Sequence, residues 1–215
     1  MTEKLRITEI FYSLQGEART VGLPTVFVRL TGCPLRCGYC DTAYAFSGGM
    51  LLSIEEILTT VAAWSPHYVC VTGGEPLAQK ACWPLLAALC EQGYAVSLET
   101  SGAIDVSGVD ARVSKVLDIK TPGSGEMHRN IHENLARLLP TDQIKFVITD
   151  AVDYDWSKAR LAEYALTGKV SDILFSPVHG QLEPSQLAEW ILRDRLPVRL
   201  QIQLHKYLWA DAAGR

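Results

Sequence analysis

The chain has 215 residues, 48% hydrophobic and 20% charged, with a formal net charge of −4. That size holds one sizeable core and reads as a single domain, 1–215. An acidic chain without a basic stripe excludes a surface that tracks phosphates, so no nucleic-acid partner is expected and a small-molecule substrate is. The opening Met1–Arg6 lacks a hydrophobic signal core, and the longest mostly apolar stretch, around Ala81 to Cys90, is too short to cross a bilayer. The expectation is a cytoplasmic protein with no membrane segment.

In chain order, strand-like runs fall at 25–30, 68–71, 95–98, 113–119, 143–148, 172–175 and 198–204, with helix-like segments such as 54–63 and 83–91 between them. This β/α alternation predicts parallel strands with crossover helices. A complete eight-unit barrel needs about 250 residues, so the expected fold is α/β, an incomplete TIM-like barrel of about six to seven strands whose open side admits substrate. The Gly/Ser-rich pieces at 47–49 and 123–125 are short enough to be loops.

After the first run, Cys33, Cys37 and Cys40 place three thiols within eight turn-rich residues. Three thiolates can hold a [4Fe–4S] cluster and leave one iron open for an exogenous ligand. Structural zinc would need a second ligand pair, and Cys70, Cys82 and Cys90 are scattered. Disulfides do not suit a reducing cytosol. Cys70 within a strand, and Cys82 and Cys90 eight apart on one helix face, read as buried small hydrophobes.

The Cys-x3-Cys-x2-Cys spacing, with Tyr39 before the last cysteine, resembles the radical S-adenosylmethionine (radical SAM) superfamily. The resemblance implies that Cys33, Cys37 and Cys40 ligate the cluster. It also implies that the open iron binds the methionine end of S-adenosylmethionine, and that an electron cleaves the sulfonium to give a 5′-deoxyadenosyl radical. Tyr39, Cys40 and Asp41 would then border the cofactor. Further motifs sit at strand ends, on the rim where barrel enzymes gather their chemistry. Gly73-Gly74-Glu75-Pro76 resembles the element that contacts the amino group of S-adenosylmethionine. Ser101, within Glu99-Thr100-Ser101-Gly102, and Asp118 and Lys120, within Asp118-Ile119-Lys120, are further cofactor candidates. His179 and His205 lie near strand ends, where they could face the site, and as lone histidines read as structural.

Tyr12-Ser13-Leu14-Gln15-Gly16-Glu17, followed by Gly22 through Cys33, narrows the resemblance to the 7-carboxy-7-deazaguanine synthase family. It implies a short N-terminal substrate-binding extension, with Leu14, Gln15, Gly16, Arg29 and Thr72 on the substrate and Thr42 on Mg²⁺. The implied reaction converts 6-carboxy-5,6,7,8-tetrahydropterin to 7-carboxy-7-deazaguanine with loss of ammonia, in a homodimer reduced by a flavodoxin or ferredoxin. Two other readings stay open. An activase of glycyl-radical enzymes shares the cysteine spacing and a segment like Leu117–Lys120, and a non-catalytic zinc-binding module would need neither cofactor nor substrate.

Arg29 can be argued from the strand period alone. Val26, Val28 and Leu30 share one face, and Phe27 and Arg29 the other. If the first face packs against helices, Arg29 points into the barrel, where its planar fork suits a carboxylate. The partner expected is a carboxylated substrate, the internal alternatives being Glu17 or Glu99.

Overall fold

The computed structural model describes residues 3–210, 212 and 214; the ends of the expected 1–215 domain, residues 1, 2, 211, 213 and 215, lie outside the described residues. The described chain runs β1 (Lys4–Leu14), β2 (Pro24–Leu30), β3 (Met50–Ser53), α1 (Ile54–Ala62), β4 (Tyr68–Gly73), α2 (Cys82–Glu91) and β5 (Ala95–Thr100). It continues through β6 (Ser114–Asp118), β7 (Gln143–Ile148), α3 (Ala151–Glu163), β8 (Asp172–Pro177), α4 (Pro184–Asp194), β9 (Arg199–Leu200) and α5 (Leu204–Trp209).

One nine-stranded sheet forms in the order β3-β1-β2-β4-β5-β6-β7-β8-β9 and does not close. From β2 onward every neighbouring pair is parallel. These seven strands are the incomplete barrel, and β1 and β3 add an antiparallel flank. Local chemistry starts the helices where the crossovers need them. Ser53 and Glu56 form a reciprocal capping box on α1, and the Asp150 side chain accepts the backbone N–H groups of Val152 and Asp153 at the start of α3.

The run expected as a strand over 198–204 is the main departure. Only Arg199 and Leu200 pair with β8, and α5 begins at Leu204. The alternation of Val198, Leu200 and Ile202 there reflects an edge that stays partly open, with Ile202 41% exposed.

The two-residue period sorts the parallel strands cleanly. Val26, Val28, Leu30, Val69, Val71, Val96, Leu98, Ile144, Phe146, Ile148, Ile173 and Phe175 face outward into the core beneath the helices. Phe146 and Tyr154 pack edge-on against Phe175, with ring centroids 5.5 and 6.0 Å apart. The opposite face is left to line the barrel interior. Cys70 and Cys82 are fully buried, and Cys90 packs against the core.

The β1–β2 connection forms the barrel floor. Leu14 pairs with Pro24, so residues 15–23 lie at the end where the parallel strands begin. Gln15 N–H donates to Leu23 O, and Gly22 N–H to Gln15 O, which closes the loop on itself. Its tip crosses to the far strands. Arg19 N–H donates to the Gln143 side chain at 2.7 Å, and its guanidinium meets Asp172 at 3.0 Å.

Candidate active site

The inner face encloses a cavity of about 440 Å³. Cys33, Cys37 and Cys40 line it at the strand C-terminal rim, and Leu14, Gln15, Gly16 and Glu17 line it from the floor. Every candidate from the sequence except Glu75 lies on this wall: Tyr39, Asp41 and Thr42 beside the thiols, Arg29 and Thr72 on the first strands, Gly73, Gly74, Ser101, Asp118 and Lys120 at strand ends.

The cysteine loop is held from both sides. On one side Gly74 N–H donates to Leu30 O and Glu75 N–H to Gly32 O, at 3.1 and 2.8 Å. The backbones approach so closely that a Cβ on Gly73 would lie 2.2 Å from Leu30 O, and one on Gly74 2.2 Å from Gly32 O and 2.9 Å from Cys33 Cβ. Gly73 also has φ +140°. On the other side Gly38 N–H donates to Ser124 O, and Arg36 N–H to Glu126. Burial pushes the Cys33 and Cys37 thiols up; the Leu35 N–H opposes this at Cys33 and the Lys120 ammonium at Cys37.

Glu75 sits differently from the two glycines before it. Its side chain is fully buried and turned away from the cavity. Four donors fill it: Leu77 N–H, Thr100 Oγ1, Ser101 N–H and Ser101 Oγ. It braces the end of β5, and with it Ser101, against the glycine turn.

The remaining polar side chains form paired sets. Lys120 meets Asp118 at 2.9 Å; burial works against the ammonium, and Asp118, Tyr39 and Cys37 together outweigh it and raise its pKa. Lys145 pairs with Glu17 across the floor. Thr72 donates to Glu99 at 2.8 Å, with the Gln15 amide on the other Glu99 oxygen at 3.5 Å. Thr42 Oγ1 donates to Asp41 at 2.7 Å; burial opposes the Asp41 charge, but this bond, Lys145 and Lys206 hold its carboxyl below the ordinary range.

Arg29 points inward as the strand period requires, but its internal carboxylate is neither Glu17 nor Glu99. Glu9, directly opposite on β1, takes Arg29 Nε at 2.7 Å. No signal in the motif reading marked Glu9, because a β-bulge between Ile7 and Glu9 shifts the alternation of β1. His179 and His205, read as structural, both line the cavity. The His205 ring fills the space a side chain on Gly16 would need, 2.2 Å from Nδ1 to the Cβ position, and its Nε2 is 4.0 Å from Asp41.

A cluster and S-adenosylmethionine fit these residues. Among the described residues no three His, Cys, Asp or Glu side chains converge on a single ion, and a cubane needs no such convergence, since it takes each thiolate at a separate corner. Beside the thiols are a glycine cradle that a Cβ would fill and two buried oxygens without partners, Tyr39 Oη and Asp118 Oδ1.

A sequence profile of the radical SAM superfamily matches residues 27–119. The chain is 50% identical over 214 residues to the 7-carboxy-7-deazaguanine synthase of Chlorobaculum tepidum, covering 98% of this chain and 97% of that one. It is 42% identical over 219 residues to the same synthase of Koribacter versatilis, covering 95% and 97%. The crystal structure of QueE from Escherichia coli matches with a TM-score of 0.77 at 25% identity, covering 94% of this chain and 95% of that one.

Proposed function

The chain belongs to the 7-carboxy-7-deazaguanine synthase family of the radical SAM superfamily, and from that membership we propose that its cavity contracts 6-carboxy-5,6,7,8-tetrahydropterin to 7-carboxy-7-deazaguanine with release of ammonia. This is the step that builds the deazapurine core of queuosine-type nucleosides. One observation carries the reading: the hairpin-loop residues Leu14 to Glu17 floor the same cavity that the three thiols roof.

The residues divide the work by position. Cys33, Cys37 and Cys40 hold the cluster, which with S-adenosylmethionine supplies the radical chemistry that starts the reaction. Gly73 and Gly74 give the cofactor backbone contact, while Tyr39, Asp41, Ser101, Asp118 and Lys120 offer it polar atoms. Glu75 serves the cofactor site by holding Ser101. Arg29 binds the substrate carboxylate. Leu14, Gln15, Gly16 and Thr72 bound the pterin, with Glu99, oriented by Thr72 and Gln15, as an acceptor for its N–H edge.

Thr42 is suited to give Mg²⁺ one protein oxygen, the remaining positions falling to substrate oxygens and water. A flavodoxin or ferredoxin serves as reductant in the cytoplasm. No described helix is long and apolar enough to cross a membrane. A homodimer would cover the sheet edges left open at β3 and β9.

The test is anaerobic reconstitution with iron and sulfide, followed by turnover with dithionite, S-adenosylmethionine and the carboxypterin, read by mass spectrometry. The expected result is a product that has lost ammonia and a cluster spectrum that shifts when S-adenosylmethionine is added. A protein that loads one zinc and no sulfide, or that makes a radical on a partner protein and no deazapurine, overturns the reading.

A further inference from the structure

Glu9 is not part of the cavity wall, yet the fold turns it toward that wall. The bulge between Ile7 and Glu9 keeps Leu5 and Ile7 in the core and rotates Glu9 onto the inner face, in register with Arg29. Glu9 Oε1 accepts from Arg29 Nε at 2.7 Å and from the Tyr44 hydroxyl at 2.8 Å. The guanidinium carbon sits 5.8 Å from the rings of both Phe11 and Tyr44. Phe11 is itself stacked on Phe27 at 4.9 Å. The guanidinium is thereby held at its Nε edge beside two aromatic rings. Among the described residues, Arg29 uses Nε on Glu9, and neither terminal nitrogen has a protein acceptor.

We infer that Glu9 is a positioning residue: by holding Nε it turns the end-on pair of Arg29 nitrogens into the cavity as a fork for the substrate carboxylate. The inference rests on the substrate reading proposed above. A guanidinium held by its side edge loses less freedom on gripping a second carboxylate with its end edge. The bland alternative is that Glu9 only neutralises Arg29, and the two roles predict opposite signs. A neutraliser weakens anion binding, so its removal tightens it; an orienting group strengthens binding, so its removal loosens it.

The experiment measures KM and kcat for 6-carboxy-5,6,7,8-tetrahydropterin on the reconstituted enzyme, together with thermal unfolding. Glu9→Ala is expected to raise KM about tenfold, the loss of one charge-assisted hydrogen bond, with kcat changed less than about threefold. Glu9→Gln, whose amide oxygen still accepts from Nε, is expected to keep KM within about threefold of wild type. In an Arg29→Ala background, Glu9→Ala should add no further rise. Tyr44→Phe removes only the second donor from a half-exposed ring and should raise KM about twofold; it carries the test if Glu9→Ala does not fold. An unchanged or lower KM in Glu9→Ala, or a rise that persists undiminished without Arg29, overturns the inference. Should wild type turn over while Arg29→Ala leaves KM unchanged, the carboxylate fork falls and the activity stands. No product from wild type sinks the activity itself.

Discussion

Glu17, on the loop between β1 and β2, ion-pairs with Lys145 in the middle of β7, and both side chains are largely buried. Removing one partner strands a buried charge, at a cost of about 3–5 kcal/mol. Lys145→Met alone should therefore lower the unfolding free energy by about 3 kcal/mol, and the double variant Glu17→Gln/Lys145→Met should recover most of it. Urea denaturation of the four proteins checks this. Burial opposes the Lys145 charge, but Glu17, then Asp118 and Glu99, outweigh it and raise its pKa. A raised lysine contributes in full below the unfolded value of about 10.4 and loses that contribution as pH climbs toward the folded one. The pair should thus stabilise equally from about pH 7 to about pH 9 and progressively less above about pH 10.

Gly74 has no room for a side chain, because its Cβ would lie 2.2 Å from Gly32 O and 2.9 Å from Cys33 Cβ. Relief of that clash must move the Cys33 arm of the loop. Gly74→Ala should retain its far-ultraviolet dichroism and take up much less iron and sulfide on anaerobic reconstitution. Normal loading would show that the glycine step does not set the cysteine.

The Gly16–His205 contact should appear as non-additivity. Gly16→Ala places a Cβ against the imidazole, with Nδ1 at 2.2 Å and the ring carbon Cγ at 2.9 Å. It should lower Tm in the presence of His205 and much less in a His205→Ala background, with a coupling of about 0.5–3 kcal/mol.

Glu75→Gln replaces one acceptor oxygen by an amide that faces donors, since all four partners of Glu75 give it hydrogens. The expected cost is about 1–3 kcal/mol of stability by chemical denaturation. A variant of wild-type stability with weakened S-adenosylmethionine binding would show that Glu75 acts on the cofactor itself.

What could be read along the chain was what is contiguous along it. β7 matches its expected span, and the inward turn of Arg29 followed from parity alone, because a strand between helices and cavity keeps a strict two-residue alternation. The cysteines and Gly73–Gly74 were legible as motifs, and they share one cavity because each follows a parallel strand. β1 was harder. Its apolar residues Leu5 and Ile7 slip by one before Ile10 and Tyr12, the trace of the bulge that aims Glu9. The partners Glu9 for Arg29, Glu17 for Lys145 and His205 for Gly16 depend on approaches between distant segments, the second across 128 positions. The bonds of Glu75 were likewise out of reach of its motif, since Thr100 and Ser101, which donate to it, lie 25 and 26 positions further on.

The floor of the barrel joins the first hairpin to the last third of the chain, since Arg19 reaches Gln143 across 124 positions and Asp172 across 153. During synthesis the cavity therefore has no bottom until β7 and β8 have emerged and docked, and its lower end closes only through contacts of long sequence separation, the kind that folds slowly.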